Sequence, residues 1–193
     1  GITYYGIGDV DGLGETDTVT VSTSIPGTTT WDLLASGFEA FDIKFTRVEV
    51  ANSGSDSILN GTASADKFVV AVGGTKAVTA NGTTFEQITS VTAGEGDDDV
   101  QSDSVNWTIE DEKDTTVAGI AFSSVESINQ FNTKDSGNKD ITNRHLNGTA
   151  GLDLLNNEGS NAISANGISY YGWILYTFPS PRDHTKPLIP SST

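Results

Sequence analysis

Apolar and polar residues alternate over short stretches of this chain, as in 67-KFVVAV-72 and 117-VAGIAF-122. A period of two is that of a strand with one face buried. Between such stretches lie Gly, Thr, Ser, Asn and Asp, and Asn-Gly pairs fall at 60–61, 81–82, 147–148 and 166–167. Asn and Gly tolerate the left-handed backbone that tight hairpin turns require. The segment closest to a helix is 31-WDLLASGFEAF-41, whose apolar spacing suits a short helix interrupted at Gly37. The pattern therefore predicts an all-β protein.

Self-comparison shows an array. Residues 1–19 align without a gap to 82–100, with Tyr4 over Phe85, Ile7 over Ile88, Val10 over Val91, Asp17 over Asp98 and Val19 over Val100. The stretches 42-DIKFTRVE-49 and 119-GIAFSSVE-126 match each other, and 167-GISYYG-172 opens in the same way. Units thus start near 1, 42, 82, 119 and 167, at steps of 41, 40, 37 and 48 residues.

Two architectures absorb this period. In a parallel β-solenoid, the favoured reading, each unit supplies about two coils of roughly 20 residues, stacking Phe85, Phe122, Val100 and Ile141 into interior ladders. In tandem β-sandwich domains, two successive units of 77 to 85 residues make each domain. The array covers 1–172. Residues 173–193 carry four of the five prolines and break the pattern, so an extended or disordered tail, native or not, is expected there.

A turn motif recurs in the register Gly-x-x-Gly-x-Asp-x-apolar: 93-AGEGDDDV-100, 51-ANSGSDSI-58, 61-GTASADKF-68, 148-GTAGLDLL-155, 12-GLGETDTV-19 and, with Asn for Asp, 156-NNEGSNAI-163. This motif resembles the GGxGxDxUx nonapeptide of the repeats-in-toxin calcium β-rolls. The resemblance implies Ca²⁺ held between stacked turns, with Asp17, Asp56, Asp66, Asp98 and Asp153 as ligand candidates and the uncharged Asn161 in the same position. No more than two copies run in tandem and most have lost a glycine. The alternative is that each Asp caps its own turn by bonding to the backbone. The stretch 107-WTIEDEKDTTVAGIAFSSVESI-128 also resembles the β-strand repeats of very large bacterial exoproteins and adhesins.

Charge bears on the same choice. Lys and Arg total 10 against 26 Asp and Glu, a net charge of −16 that disfavours nucleic acid and anionic membranes. Glu95, Asp97, Asp98 and Asp99 crowd one turn; like charges ~5 Å apart cost about 1 kcal/mol per pair in water. Either a bound cation reverses that cost, or alternate side chains point to opposite sides, Asp98 toward the turn and its neighbours into water. Absence of cysteine removes disulfides and thiolate sites. With no methionine, the chain is expected to be part of a longer polypeptide. No apolar run reaches the roughly 18 residues of a membrane span.

Catalytic motifs are missing: there is no nucleophile elbow, Walker loop or dinucleotide fingerprint, and His145 and His184 make no zinc pair. Asn-x-Thr triplets at Asn60, Asn81, Asn106 and Asn147 match the glycosylation acceptor, but turn chemistry explains the three that are Asn-Gly. Trp31 and Trp107 read as core or capping aromatics. The expectation is a non-enzymatic, secreted or cell-surface bacterial repeat segment, adhesin-like and calcium-stabilised. Its partners would be calcium, neighbouring repeats, and surface glycans or proteins. A polysaccharide-active β-helix enzyme or carbohydrate-binding module is the alternative, although Lys44, Arg47, Lys67, Lys76 and Lys113 are scattered and form no basic groove.

Overall fold

The computed structural model describes residues 7–22, 27–71, 75–102, 104, 106–111, 113–130, 145–147, 155–159, 162–165 and 168–171. All regular structure among them is β: β1 (Asp9–Asp11), β2 (Thr18–Thr20), β3 (Thr29–Leu33), β4 (Phe38–Ala40), β5 (Ile43–Thr46), β6 (Val50–Asn60), β7 (Lys67–Val70), β8 (Val78–Ala80) and β9 (Thr83–Thr92). The chain continues through β10 (Asp99–Ser102), β11 (Asn106–Asp111), β12 (Asp114–Val117), β13 (Ile120–Ser123), β14 (Ser127–Gln130), β15 (His145–Asn147), β16 (Leu155–Gly159), β17 (Ala162–Ala165) and β18 (Ile168–Tyr171). Parallel pairing from coil to coil makes a β-solenoid of about three turns.

Each coil also contains an antiparallel meander. β3–β4–β5, β7–β8–β9, β11–β12–β13 and β16–β17–β18 are such triplets. The tight loops in the first three explain why the units are legible. Phe41–Asp42, Asn81–Gly82 and Ala118–Gly119 each have positive φ at both residues, 54° and 60°, 50° and 83°, and 52° and 76°. That pair of left-handed residues is the mark of a two-residue type I′ hairpin, whose twist matches its strands. The unit openings at 42, 82 and 119 are the second residues of these loops, and Ala165 opposite Ile168 brackets a connection of the same length before the opening at 167. Five residues after the openings at 42, 82 and 119 the chain turns left-handed again, at Arg47, Gln87 and Ser124 (φ 54°, 64° and 60°). These corners drive the next residue, Val48, Ile88 or Val125, into the core.

Parallel stacking builds the interior ladders. Trp31 pairs Leu59, Leu59 pairs Val91 and Val91 pairs Phe122, at steps of 28, 32 and 31 residues. Phe68, Val100 and Ile128 stack likewise at 32 and 28, and residue 170 follows Ile128 in strand register at a step of 42. One coil therefore corresponds to about one unit, correcting the expectation of two short coils per unit: the hairpin consumes the residues a second coil would need. Phe85, Phe122 and Val100 are buried as expected, and Ile141 lies outside the described residues. The core centres on aromatic contacts: Phe38 lies 5.5 Å from Trp31, 5.0 Å from Phe45 and 5.1 Å from Phe85, edge-on to the first and last and stacked on Phe45. Burying such rings contributes about 1.5–3 kcal/mol each.

The segment 31–41 is a hairpin, not a helix. Its apolar residues alternate in burial through β3, and Gly37, at φ 85°, sits in the bend with its α-carbon so close to β5 that an added Cβ would lie 2.0 Å from the Phe45 carbonyl oxygen. Tertiary pairing outweighs a local helical spacing.

Candidate functional site

The described aspartate turns lie at 12–17, 61–66 and 93–98, each between two parallel-stacked strands. Their glycines permit close stacking. A Cβ at Gly61 would lie 1.8 Å from the Ala93 carbonyl oxygen, one at Gly94 would lie 2.1 Å from that of Thr62, and one at Gly12 would lie 2.1 Å from that of Arg47. Backbone bonds hold the layers together: Gly61 N–H donates to the Thr92 carbonyl at 2.7 Å and Ala93 N–H to that of Ser123 at 2.9 Å.

The turn-closing aspartates serve within a turn, at Asp17 and Asp66, and between coils, at Asp17, Asp66 and Asp98. Within its own turn, Asp17 Oδ2 accepts from Leu13 N–H at 3.2 Å, and Asp66 Oδ2 accepts from Thr62 N–H at 2.6 Å and from the Thr62 hydroxyl at 2.9 Å. These are carboxylate caps spanning four residues. Between coils, the backbone N–H of each of these acids donates to the carboxylate one layer on: Asp17 to Glu49 Oε2 at 2.8 Å, Asp66 to Asp98 Oδ1 at 2.7 Å and Asp98 to Glu126 Oε2 at 2.9 Å. Glu126 closes its column by accepting from Lys113 Nζ at 2.6 Å. Asp66, Asp98 and Glu126 thus form an acid column along the stack, and Asp17 with Glu49 forms a second, shorter one.

Asp98 is the exceptional member. It is fully buried, lacks the cap to its own turn that Asp17 and Asp66 make, and its Oδ2 has no hydrogen-bond partner among the described residues. Desolvation is the main cause that raises its pKa to about 6; the N–H of Asp66 opposes this, while the nearby charges of Glu126, Asp66 and Asp97 add to it. The three consecutive aspartates take three environments. Asp97 is exposed and Asp98 is buried. Asp99, on β10, accepts from the Ser127 hydroxyl at 3.0 Å, from Asn129 Nδ2 at 2.5 Å and from Gln101 Nε2 at 2.6 Å. Asp99 therefore joins a polar ladder where the sequence suggested that it faces water.

Of the five ligand candidates, Asp17, Asp66 and Asp98 share the turn-closing position, with Asp66 and Asp98 adjacent in one column. Asp56 is elsewhere: 51–58 is part of the continuous strand β6, whose register shifts between Asn52 and Ser57, and Asp56 is exposed at this bulge. Asp153 and Asn161 lie outside the described residues. Among the described residues, no group of three or more His, Cys, Asp or Glu side chains is placed to hold a metal ion. Asp17 and Asp66 each spend one carboxylate oxygen on a turn amide. The column members missed by the turn motif are Glu49 and Glu126. Their signal was present in the paired endings 48-VE-49 and 125-VE-126, which stand at the corners where the longer turns stack.

Near the Arg47 corner, Ser36, Gly37, Arg47, Val48, Asn81 and Gly82 line a shallow open cleft of about 390 Å³. Arg47 is turned to Asp11, donating from Nε to Oδ1 at 2.6 Å and pairing through its second nitrogen, which holds the Asp11 carboxyl below its ordinary value. No family model, curated protein or solved structure matches this chain. Its class is that of the fold: a β-solenoid of parallel-stacked coils, each carrying a hairpin.

Proposed function

We propose that the chain is a non-enzymatic structural segment, a stiff spacer that extends and presents other parts of a larger exported or cell-surface protein. The observation that supports this reading best is the acid column. Side chains that would serve a ligand in a binding protein are committed here to joining one coil to the next. The same holds for Asp99 with Ser127 and Asn129, and for Asn60, whose Nδ2 donates to Asp32 Oδ1 at 2.7 Å. A strong net negative charge keeps such a spacer soluble.

Stretching single molecules tethered at the two chain ends tests the proposal. A spacer of this kind resists extension and yields in a discrete force peak as the stacked coils part. Featureless extension, or turnover of pectate or alginate by the same preparation, would overturn it. Calcium is tested alongside by circular dichroism in chelator and in excess Ca²⁺. Because Asp17 and Asp66 already bond turn amides, the β-signal is expected to be the same in both; a calcium-driven gain would support the metal reading of the turns.

A further inference from the structure

We infer that Asn81 is a site of spontaneous deamidation in the folded protein, while Asn60, in the same Asn-Gly-Thr sequence, is shielded from it by the stack. The reaction needs the backbone nitrogen of the following glycine as nucleophile. That nitrogen loses its proton and bonds to the asparagine Cγ, the Cγ–Nδ2 bond breaks, and the amide leaves as ammonia with the proton. Water then opens the cyclic imide at either carbonyl, giving aspartate or isoaspartate; nothing is oxidised or reduced. The nucleophile must therefore be free, wet and able to approach.

The two sites differ on each count. Asn81 and Gly82 are both exposed at the tip of the β8–β9 hairpin, beside the open cleft. The Gly82 amide nitrogen has no hydrogen-bond partner among the described residues, and the space where a Cβ would stand is empty to 4 Å. Gly61, by contrast, donates its N–H to the Thr92 carbonyl at 2.7 Å and is pressed against the next layer, with only 1.8 Å between a Cβ position and the Ala93 oxygen. Attack at Asn60 would first have to open that layer.

The product has a structural effect of its own. Asn81 Nδ2 donates to the Leu34 carbonyl at 3.1 Å, tying this hairpin tip to the bend of the preceding meander. A carboxylate has no proton to donate there, and isoaspartate lengthens the backbone of a loop that accommodates only two residues. Conversion thus removes one bond between this meander and its neighbour, which remain joined by the contacts of Phe38 and Trp31 with Phe85, and adds a negative charge to an acidic molecule.

The test keeps the intact folded chain in mildly alkaline buffer, with a urea-denatured sample beside it. Conversion at each asparagine is followed by peptide mass mapping and isoaspartyl methyltransferase labelling. In the folded chain Asn81 is expected to convert within a few-fold of its denatured rate, and Asn60 at least ~10-fold more slowly than its own denatured rate. Asn81 remaining intact while the denatured chain converts, or Asn60 keeping pace with Asn81 in the folded chain, would overturn the assignment.

Discussion

Asp98 is the residue at which burial and charge conflict most directly. Its folded pKa, about 6, is raised from the ordinary 3.8, so the folded state holds this proton more tightly than the unfolded chain does. Stability from this group is therefore complete below pH 3.8 and is lost as pH rises through about 6. Chemical denaturation at a series of pH values is expected to show that part of the profile, with a loss of about 1–3 kcal/mol at neutrality. In Asp98→Asn the profile flattens and neutral stability rises, because the amide oxygen still accepts from Asp66 without the charge; a profile unchanged by the substitution would refute this role. Gly61 tests the opposite quality, the need for nothing at all. Gly61→Ala places a methyl against the Ala93 carbonyl and is expected to cost about 1–3 kcal/mol, or more if the layers cannot separate, read as a lowered denaturation midpoint. A midpoint within error of the parent would mean that the turns have slack the structure does not show.

Among the elements, the hairpins carry the lesson about prediction. Asn81–Gly82 announces its turn chemically, and Phe41–Asp42 does not, although both occupy the same left-handed pair. For the second, aligning units marks only an opening at 42 and not the turn itself. Phe41 is also 53% exposed, so its ring gains little for the strained backbone beneath it. Phe41→Asn is expected to raise stability by about 1 kcal/mol, as a shift in thermal midpoint; a decrease would show that the ring has a packing role. The meanders themselves were not legible. A period of two reveals a strand but not its partner, so although Asn81–Gly82 announced the β8–β9 hairpin, nothing in β8 or β12 indicated the second antiparallel partner, β7 or β11, that lengthens the coil to a whole unit. Similarly, the turn-closing position of Asp17, Asp66 and Asp98 could be read from spacing, but which acid receives each amide, Glu49, Asp98 or Glu126, could not, because it lies about 30 residues away across the stack.

At the scale of the molecule, a net charge of −16 is distributed along a stack whose axis brings like charges repeatedly into line. Layering forces this repulsion, which is long-ranged only in weak salt. Raising ionic strength from about 10 mM to 150 mM shortens the Debye length from ~30 to ~8 Å. The thermal midpoint is expected to climb over that range with monovalent salt alone, without divalent ions. A midpoint that responds to Ca²⁺ at constant ionic strength but not to sodium chloride would instead assign the effect to bound metal. Coils that contact only their neighbours also distribute stability locally, so substitutions in one turn are expected to loosen the layers beside it most.

The column bonds all point the same way along the sequence: the earlier residue gives its amide proton and the later one receives it, Asp17 to Glu49, Asp66 to Asp98, Asp98 to Glu126. A ribosome makes the donors first. Each turn-closing aspartate therefore emerges with an amide whose carboxylate acceptor is about one coil of further synthesis away, and the return bonds, from Glu49 N–H to the Asp17 carbonyl and from Glu126 N–H to that of Asp98, form only once that coil has arrived.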